Sequence, residues 1–278
     1  MITKDQKEAR KKGVGASDSP IIMGFSHYKT PYVLYLEKLG LLREDDEIET
    51  EQQFWGNTLE PVIRQHFSTK NNVIVTMPDT MYHIDKPYML ANLDGFIPEW
   101  NAVVEVKNSS AFMRSDWGDQ GTDFVPMLYL IQVAHQCIVT EADKGFIAVL
   151  IGGNEYRQFE YKRDSELESL IIDCVDRFWL KNVLQRKEPD SICIEDSRLK
   201  YKDAHINSKK CADEGIKEEL EVLANTKEER KKLEKIEEMA KMSIMEYMQH
   251  SECLTDESGR PLVTLKPNAR GNRVFLLK

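Results

Sequence analysis

The five cysteines of this chain stand singly, at positions 137, 174, 193, 211 and 253, and none forms a C-x-x-C pair. That spacing excludes a thiolate zinc site. An odd number of scattered thiols fits free cysteines in a reducing compartment rather than a disulfide framework. None of the six histidines pair at metal-ligand spacing, and H-E-x-x-H is missing. G-x-S-x-G, the P-loop and G-x-G-x-x-G are missing too, so serine hydrolase, NTPase and dinucleotide readings have no support. No apolar run approaches the roughly 18 residues that span a bilayer. Met1 to Lys12 is polar and charged and reads as neither signal peptide nor anchor, so a cytoplasmic protein without a membrane partner is expected.

A basic excess is also lacking. The formal net charge is −9, which argues against a non-specific nucleic-acid coat protein. The distribution matters more than the sum. From Met1 to Arg43, eight Lys/Arg (4, 7, 10, 11, 12, 29, 38, 43) face four Asp/Glu (5, 8, 18, 37), leaving this segment positive by four. Acid collects in Glu44–Glu51, read as a solvated linker, and in the C-terminal helical region. A locally basic face on an acidic protein is compatible with a DNA channel. The 41% hydrophobic and 31% charged residues are ordinary for a soluble globular protein, and 278 residues suffice for one large α/β domain or a domain with an appendage.

Asp5 to Lys12 reads as a short charged helix ending at Gly13. In the turn that follows, Ser17 or Asp18 can cap a helix with Pro20 in its first turn. Two readings stay open here: simple capping, or an anion site of free N–H groups and a hydroxyl, with Arg10 and Lys29 nearby in sequence. Thr30 caps a helix from Pro31 through Leu39, stopped by Gly40. Gln52 to Lys70 carries a helical face of Trp55, Leu59, Val62, Ile63 and Phe67. Pro61 should kink or restart that helix, so Glu60 is either a surface residue or a ligand aimed from an irregularity. Short strands are expected at 73–77 and 81–84. Pro126 starts a helix to Thr140 with Leu130, Val133, Cys137 and Ile138 inward and Tyr129, Gln132, His135 and Gln136 on a second face.

A strand pair turning at Gly152–Asn154 and an amphipathic helix from Asp164 to Lys187 follow, the helix with Leu167, Leu170, Ile171, Val175, Phe178 and Trp179 inward. They complete a main domain of residues 1–190. Residues 191–278 form an extension: a connector, a long Glu- and Lys-rich helix from Ala212 to Gln249, and a terminal hairpin turning at Gly259–Arg260. The helix's broken heptads favour packing on the main domain or a neighbour over a free coiled coil.

The remaining signal is acidic. Met89 to Ile97 and Ala102 to Asn108 read as two strands joined by a turn at Pro98–Asn101, a hairpin. With the two strands before it, this makes a largely antiparallel meander. Alternation puts Glu105 and Lys107 on one face and Val104 and Val106 on the other, and Asp94 can be brought opposite them. This D-G-x(9)-E-V-K pattern, with Glu60 upstream, is an all-oxygen set suited to Mg²⁺ or Mn²⁺, to which the Val106 carbonyl can add an oxygen. The alternative is an exposed strand with a salt-bridged Glu–Lys pair.

Six segments together resemble the YqaJ-type viral recombinases, relatives of the lambda exonuclease within the PD-(D/E)xK nuclease superfamily. They are R-K-K-G-V-G-A-S-D (10–18), F-S-H-Y-K-T-P (25–31), W-G-N-T-L-E-P (55–61), L-D-G-F from Leu93, V-E-V-K from Val104, and V-P-x-x-Y-x-x-Q-V-x-H-Q (125–136). They occur in the family's order over about residues 8–190. The chain departs in having Leu93-Asp94 where the family has PD, and Ala134 where a second Gln is common.

The resemblance implies an α/β (α+β) restriction-endonuclease-like core, a central mixed sheet flanked by helices. It implies that Glu60, Asp94, Glu105 and the Val106 carbonyl hold Mg²⁺, with Mn²⁺ as substitute. Lys107 would help deprotonate the attacking water and Gln132 would orient it. Arg10 and Ser17, assisted by Lys29, match residues that grip a terminal 5′-phosphate. The implied activity is 5′→3′ digestion of linear double-stranded DNA in a bacterial host's cytoplasm, leaving 3′ single strands for an annealing protein, by a homo-oligomer, as a trimeric ring. Two other readings are a structure-specific or restriction-type endonuclease on the same core and a nuclease-inactive DNA-binding scaffold.

Overall fold

Alternation along one strand decides the layering. A computed structural model describes residues 4–42, 50–203 and 207–278. Of the expected acidic linker, positions 44–49 lie outside the described residues. The chain divides into two compact units, residues 1–203 and 204–278.

The first unit opens with α1 (Lys4–Lys11), β1 (Val14–Gly15), α2 (Ser19–Ile22) and α3 (Pro31–Lys38), the last capped by Thr30, whose Oγ1 accepts from the Val33 N–H at 3.2 Å. α4 (Glu51–Asn71) runs through Pro61 without a break. Then come β2 (Met81–Tyr82), β3 (Met89–Ala91), β4 (Gly95–Ile97), a 3₁₀ turn at Pro98–Trp100 and β5 (Ala102–Ser109). A 3₁₀ helix at Ala111–Asp116 leads to α5 (Met127–Thr140), β6 (Lys144–Ile151), β7 (Glu155–Lys162), α6 (Ser165–Asp176), a π-helical segment at Arg177–Leu184 and α7 (Ile194–Lys200).

The strands form two sheets. One has the order β1-β3-β2, with β1 parallel to β3; the other has the order β4-β5-β6-β7. Within the second, β4–β5 and β6–β7 are antiparallel while β5–β6 is parallel. Parallel neighbours need a crossover, and α5 supplies it. Val104 and Val106 of β5 pack with Ile63 and Phe67 of α4, whereas Val103 joins Ile131, Val133 and Ala134 of α5. The sheet is thus sandwiched between α4 and α5. The α5 side is close enough that a Cβ at Gly145 would fall 2.2 Å from Val133 Cγ1.

Several expectations need correction. The segment Met89–Ile97 is not one strand: it breaks at Asn92–Asp94, and β3 and β4 belong to different sheets. The hairpin is therefore confined to β4 and β5. The expected meander becomes a mixed sheet, and residues 73–77 contribute only the isolated bridge Thr76–Phe96. Pro61 does not restart α4, because the helix continues on both sides of it. Trp55, Val62 and Leu170 are exposed rather than inward. The two compact units divide after Asp203, whereas the main domain expected from sequence ends at residue 190. α7 belongs to the first unit because Asp196, fully buried, accepts a hydrogen bond from Thr30 Oγ1 at 2.6 Å.

In the second unit α8 (Glu214–Met248) is followed by β8 (Cys253–Thr255), β9 (Pro261–Pro267) and β10 (Arg273–Leu277) in the order β10-β9-β8. The terminal hairpin is thus a three-stranded meander. Val263 and Leu265 pack on Met248, while Leu220, Leu223, Leu233, Ile236 and Met239 of α8 are exposed.

Candidate active site

The break before β4 is what aims Asp94. Its Oδ2 accepts from the Val106 N–H at 2.9 Å, fixing the carboxylate beside the strand that carries Glu105 and Lys107. Glycine follows because a Cβ at position 95 would lie 2.5 Å from Val75 Cγ1. Glu105, 1% exposed, faces α5. Its Oε1 accepts from Gln132 Nε2 at 2.6 Å and pairs with the Lys107 ammonium, and its Oε2 accepts from Gln136 Nε2 at 2.5 Å. Three donors on one carboxylate offset the cost of burying its charge. Lys107 also donates to Gln132 Oε1 at 3.2 Å and lies 5.0 Å from the centroid of the Tyr129 ring, which stacks on Trp117.

Glu60 enters from α4 through Arg64, one turn further on. A single guanidinium nitrogen of Arg64 donates to Glu60 Oε1 at 2.9 Å and to the Asp94 main-chain oxygen at 2.8 Å. Three carboxylates thus share two cations. Burial, then the charges of Glu105 and Glu60, push the Asp94 carboxyl well above its usual range, against the opposing pull of Lys107 and the Val106 N–H. Burial lowers the Lys107 ammonium, but Glu105 and Asp94 outweigh it and the net direction is up.

A second charged cluster lies at the N-terminus. Arg10 donates to Ser17 Oγ at 2.7 Å and to Asp18 Oδ1 at 3.1 Å. Asp18 Oδ2 accepts from Lys38 at 2.7 Å and from the Gly15 N–H at 2.9 Å. Asp18 is buried, but its side chain does not cap α2. Burial raises its carboxyl, yet Lys38 and Arg10 together bring it down to about 2. The next residue, Ser19, meets His135 Nδ1 at 2.6 Å, while His135 Nε2 lies 3.1 Å from the Leu90 carbonyl. That geometry fixes the neutral tautomer with Nε2–H donating to Leu90, and burial lowers the imidazole to about 4.

The model of the YqaJ-like viral recombinase domain matches residues 5–143, half of the chain and all of the clusters just described. The chain belongs to this family. The YqaJ protein of Bacillus subtilis (strain 168) is 32% identical over 209 residues, 73% of this chain and 64% of that protein. This chain therefore spans somewhat less than two thirds of that relative's length. An alkaline exonuclease from Laribacter hongkongensis superposes with a TM-score of 0.53 at 19% identity, covering 72% of this chain and 97% of that one. The same protein in complex with dAMP gives 0.52 at 20% identity, with the same coverage. A protein from Eubacterium rectale gives 0.50 at 14%, covering 76% and 96%. The fold of this YqaJ-like chain is the restriction-endonuclease-like one, a mixed sheet flanked by helices.

Of the residues singled out from sequence in this YqaJ-like chain, Asp94, Glu105, Lys107 and Gln132 converge, and Glu60 joins them through Arg64. Arg10 and Ser17 meet each other. Lys29 pairs instead with Glu37 at 2.7 Å. Arg64, Gln136 and His135 carry contacts that were not foreseen. Spacing held a signal for two of them: Arg64 stands at i+4 from Glu60, and Gln136 at i+4 from Gln132.

For a hard divalent cation the donor chemistry fits: three carboxylates repel one another and the Val106 carbonyl is adjacent. Among the described residues no three Asp, Glu, His or Cys side chains stand close enough to enclose an ion. Lys107 and the two glutamines engage Glu105 in this arrangement.

Proposed function

We propose that this protein is a metal-dependent 5′→3′ exonuclease on linear double-stranded DNA that leaves 3′ single strands for annealing-type recombination. The observation that carries the reading is a charge imbalance: the three carboxylates of Glu60, Asp94 and Glu105 have only the two cations Arg64 and Lys107 among them. Glu60, Asp94, Glu105 and the Val106 carbonyl would hold Mg²⁺, with Mn²⁺ as a substitute. Such an ion, when bound, supplies Lewis-acid stabilisation of charge on the scissile phosphate. Lys107, charged beside Glu105, would position the attacking water and, once its own proton has passed to solvent, accept the proton that the water gives up. Gln132, bonded to both Lys107 and Glu105, orients that water. Arg10 and Ser17 support a 5′-phosphate pocket at the positive N-terminal segment, in which Asp18 holds the guanidinium and Lys38 in turn holds Asp18. Lys29 would assist only on leaving Glu37. The dAMP complex of the Laribacter enzyme is consistent with a nucleotide-sized site in this fold. Assembly into a homo-oligomeric ring would give an acidic chain its DNA channel, and an annealing protein would take the product strand.

The test is digestion of 5′-phosphorylated linear duplex with Mg²⁺, alongside closed circular DNA and dephosphorylated duplex. Linear, phosphorylated DNA should be degraded fastest, and Lys107→Ala should lower the rate by at least ~10³-fold. Rapid cutting of circles would replace the exonuclease by a structure-specific or restriction-type endonuclease. Wild-type digestion no faster than that of Lys107→Ala would leave a nuclease-inactive DNA-binding scaffold.

A further inference from the structure

Gln136 lies on α5 one turn after Gln132, has no exposed surface, and has apolar neighbours in the chain, with Val133, Ala134 and Cys137 all buried. Packing alone would be served there by an apolar residue. Its Nε2 instead donates to Glu105 Oε2 at 2.5 Å. The two carboxylate oxygens are held differently. Oε1 is shared by Gln132 and Lys107, the latter with 22% of its side chain exposed, whereas Gln136 holds Oε2 on the fully buried side.

A second observation concerns the other end of the same amide. Gln136 Oε1 is buried without a hydrogen-bond partner among the described residues. Buried carbonyls are nearly always satisfied. Turning the amide over would bring its oxygen against Oε2 of Glu105, placing two acceptors in contact. The orientation is therefore dictated by the carboxylate, at the expense of the amide's own carbonyl.

We propose that Gln136 is a positioning residue for Glu105: it pins the inner oxygen so that the outer one is presented singly to a cation and to Lys107. This rests on the reading of Glu105 as part of a metal-dependent hydrolytic site. Gln136 touches neither substrate nor reacting atoms, so its removal should lower turnover and cation affinity and leave DNA binding alone.

The experiment uses the full chain and Gln136→Met, which keeps length and loses the donor. Digestion of 5′-phosphorylated linear duplex is followed against DNA and Mg²⁺ concentration, and Mn²⁺ binding to the protein alone is followed by electron paramagnetic resonance. We expect kcat to fall and Mn²⁺ half-saturation to rise, each by about 10-fold, with KM for DNA within about twofold of wild type. Gln136→His, which retains an N–H donor, should recover much of both and serves as the readout if Gln136→Met does not fold. Mn²⁺ half-saturation equal to wild type in a folded Gln136→Met protein would overturn the assignment, whatever happens to rate. Failure of Gln136→His to bind Mn²⁺ better than Gln136→Met would do the same. A wild-type chain that neither binds Mn²⁺ nor digests DNA would instead refute the hydrolytic site, and this role with it.

Discussion

Asp18 and Asp94 are both shielded aspartates beside a lysine, and they are driven in opposite directions. Asp18 has two cations to itself and its carboxyl sits at about 2, while Asp94 shares Lys107 with Glu105, feels Glu60 as well, and is pushed up. Sequence neighbours do not account for the contrast; the ratio of cations to carboxylates does. The Arg10–Asp18–Lys38 group is a finished ion triad with one positive charge left over. The Glu60–Asp94–Glu105 group is one cation short. That imbalance separates the two clusters: the first keeps a spare positive charge, as the proposed phosphate grip requires, and the second a spare negative one, as the proposed cation site requires.

Neutralising each aspartate in turn is the most direct way to break the comparison. Asp18→Asn leaves the Lys38 ammonium, only 6% exposed, without its carboxylate, and should cost about 3–5 kcal/mol of stability by urea denaturation. Asp94→Asn relieves repulsion and should be neutral or stabilising by about 1 kcal/mol in metal-free buffer while abolishing digestion. Equal losses for the two variants would show that the clusters are electrostatically alike.

Acidity sharpens the contrast next. His135, neutral in the fold at about 4 against 6.5 when free, contributes about 3 kcal/mol above pH 6.5 that disappears as pH falls towards 4. The Asp18 contribution is present above 3.8 and is lost as pH falls towards 2. Asp94 has the reverse sign: its raised carboxyl favours the fold at low pH, and that contribution declines as pH rises above 3.8. Melting temperatures of wild type and Asp94→Asn across pH, without metal, should therefore diverge upward from that value, with wild type the less stable at the alkaline end.

The smallest effect is expected at Lys29. Its pair with Glu37 is about one-third exposed, so Lys29→Ala should change stability by less than about 0.5 kcal/mol. Comparing phosphorylated with unphosphorylated ends in that variant, beside Arg10→Gln, tells whether Lys29 takes any part in end recognition.

Much of the fold was readable from sequence because its signals are local. Thr30 before Pro31, Gly152–Gly153 between β6 and β7, and Val103-Val104-Glu105-Val106-Lys107 each specify structure within a few residues. What escaped depends on partners distant in the chain. That β5 and β6 run parallel is settled by α5 crossing between them, and the split of Met89–Ile97 comes from β1 capturing β3. Pro61 misled because its effect on a long helix is decided by the packing of Ile63 and Phe67, which holds α4 together on both sides of it. In the candidate site, residue types and alternation identified Asp94, Glu105 and Lys107. Gln136 and Arg64 escaped because glutamine and arginine on helices are common surface residues, and the i+4 spacing from Gln132 and Glu60 gains meaning only from contacts made in space. Asp18 as an ion-pair centre, rather than a cap, needed the position of Lys38 in space.

Helix α5 meets both clusters within five residues: Gln132 and Gln136 hold Glu105, and His135 between them holds Ser19, the neighbour of Asp18. A helix rises about 1.5 Å per residue and does not stretch. Both clusters are thus hung from a common rigid rod, and the interval between them is set by the backbone rather than by the loops around it. On the function proposed above, that interval would act as a gauge between grip and cut.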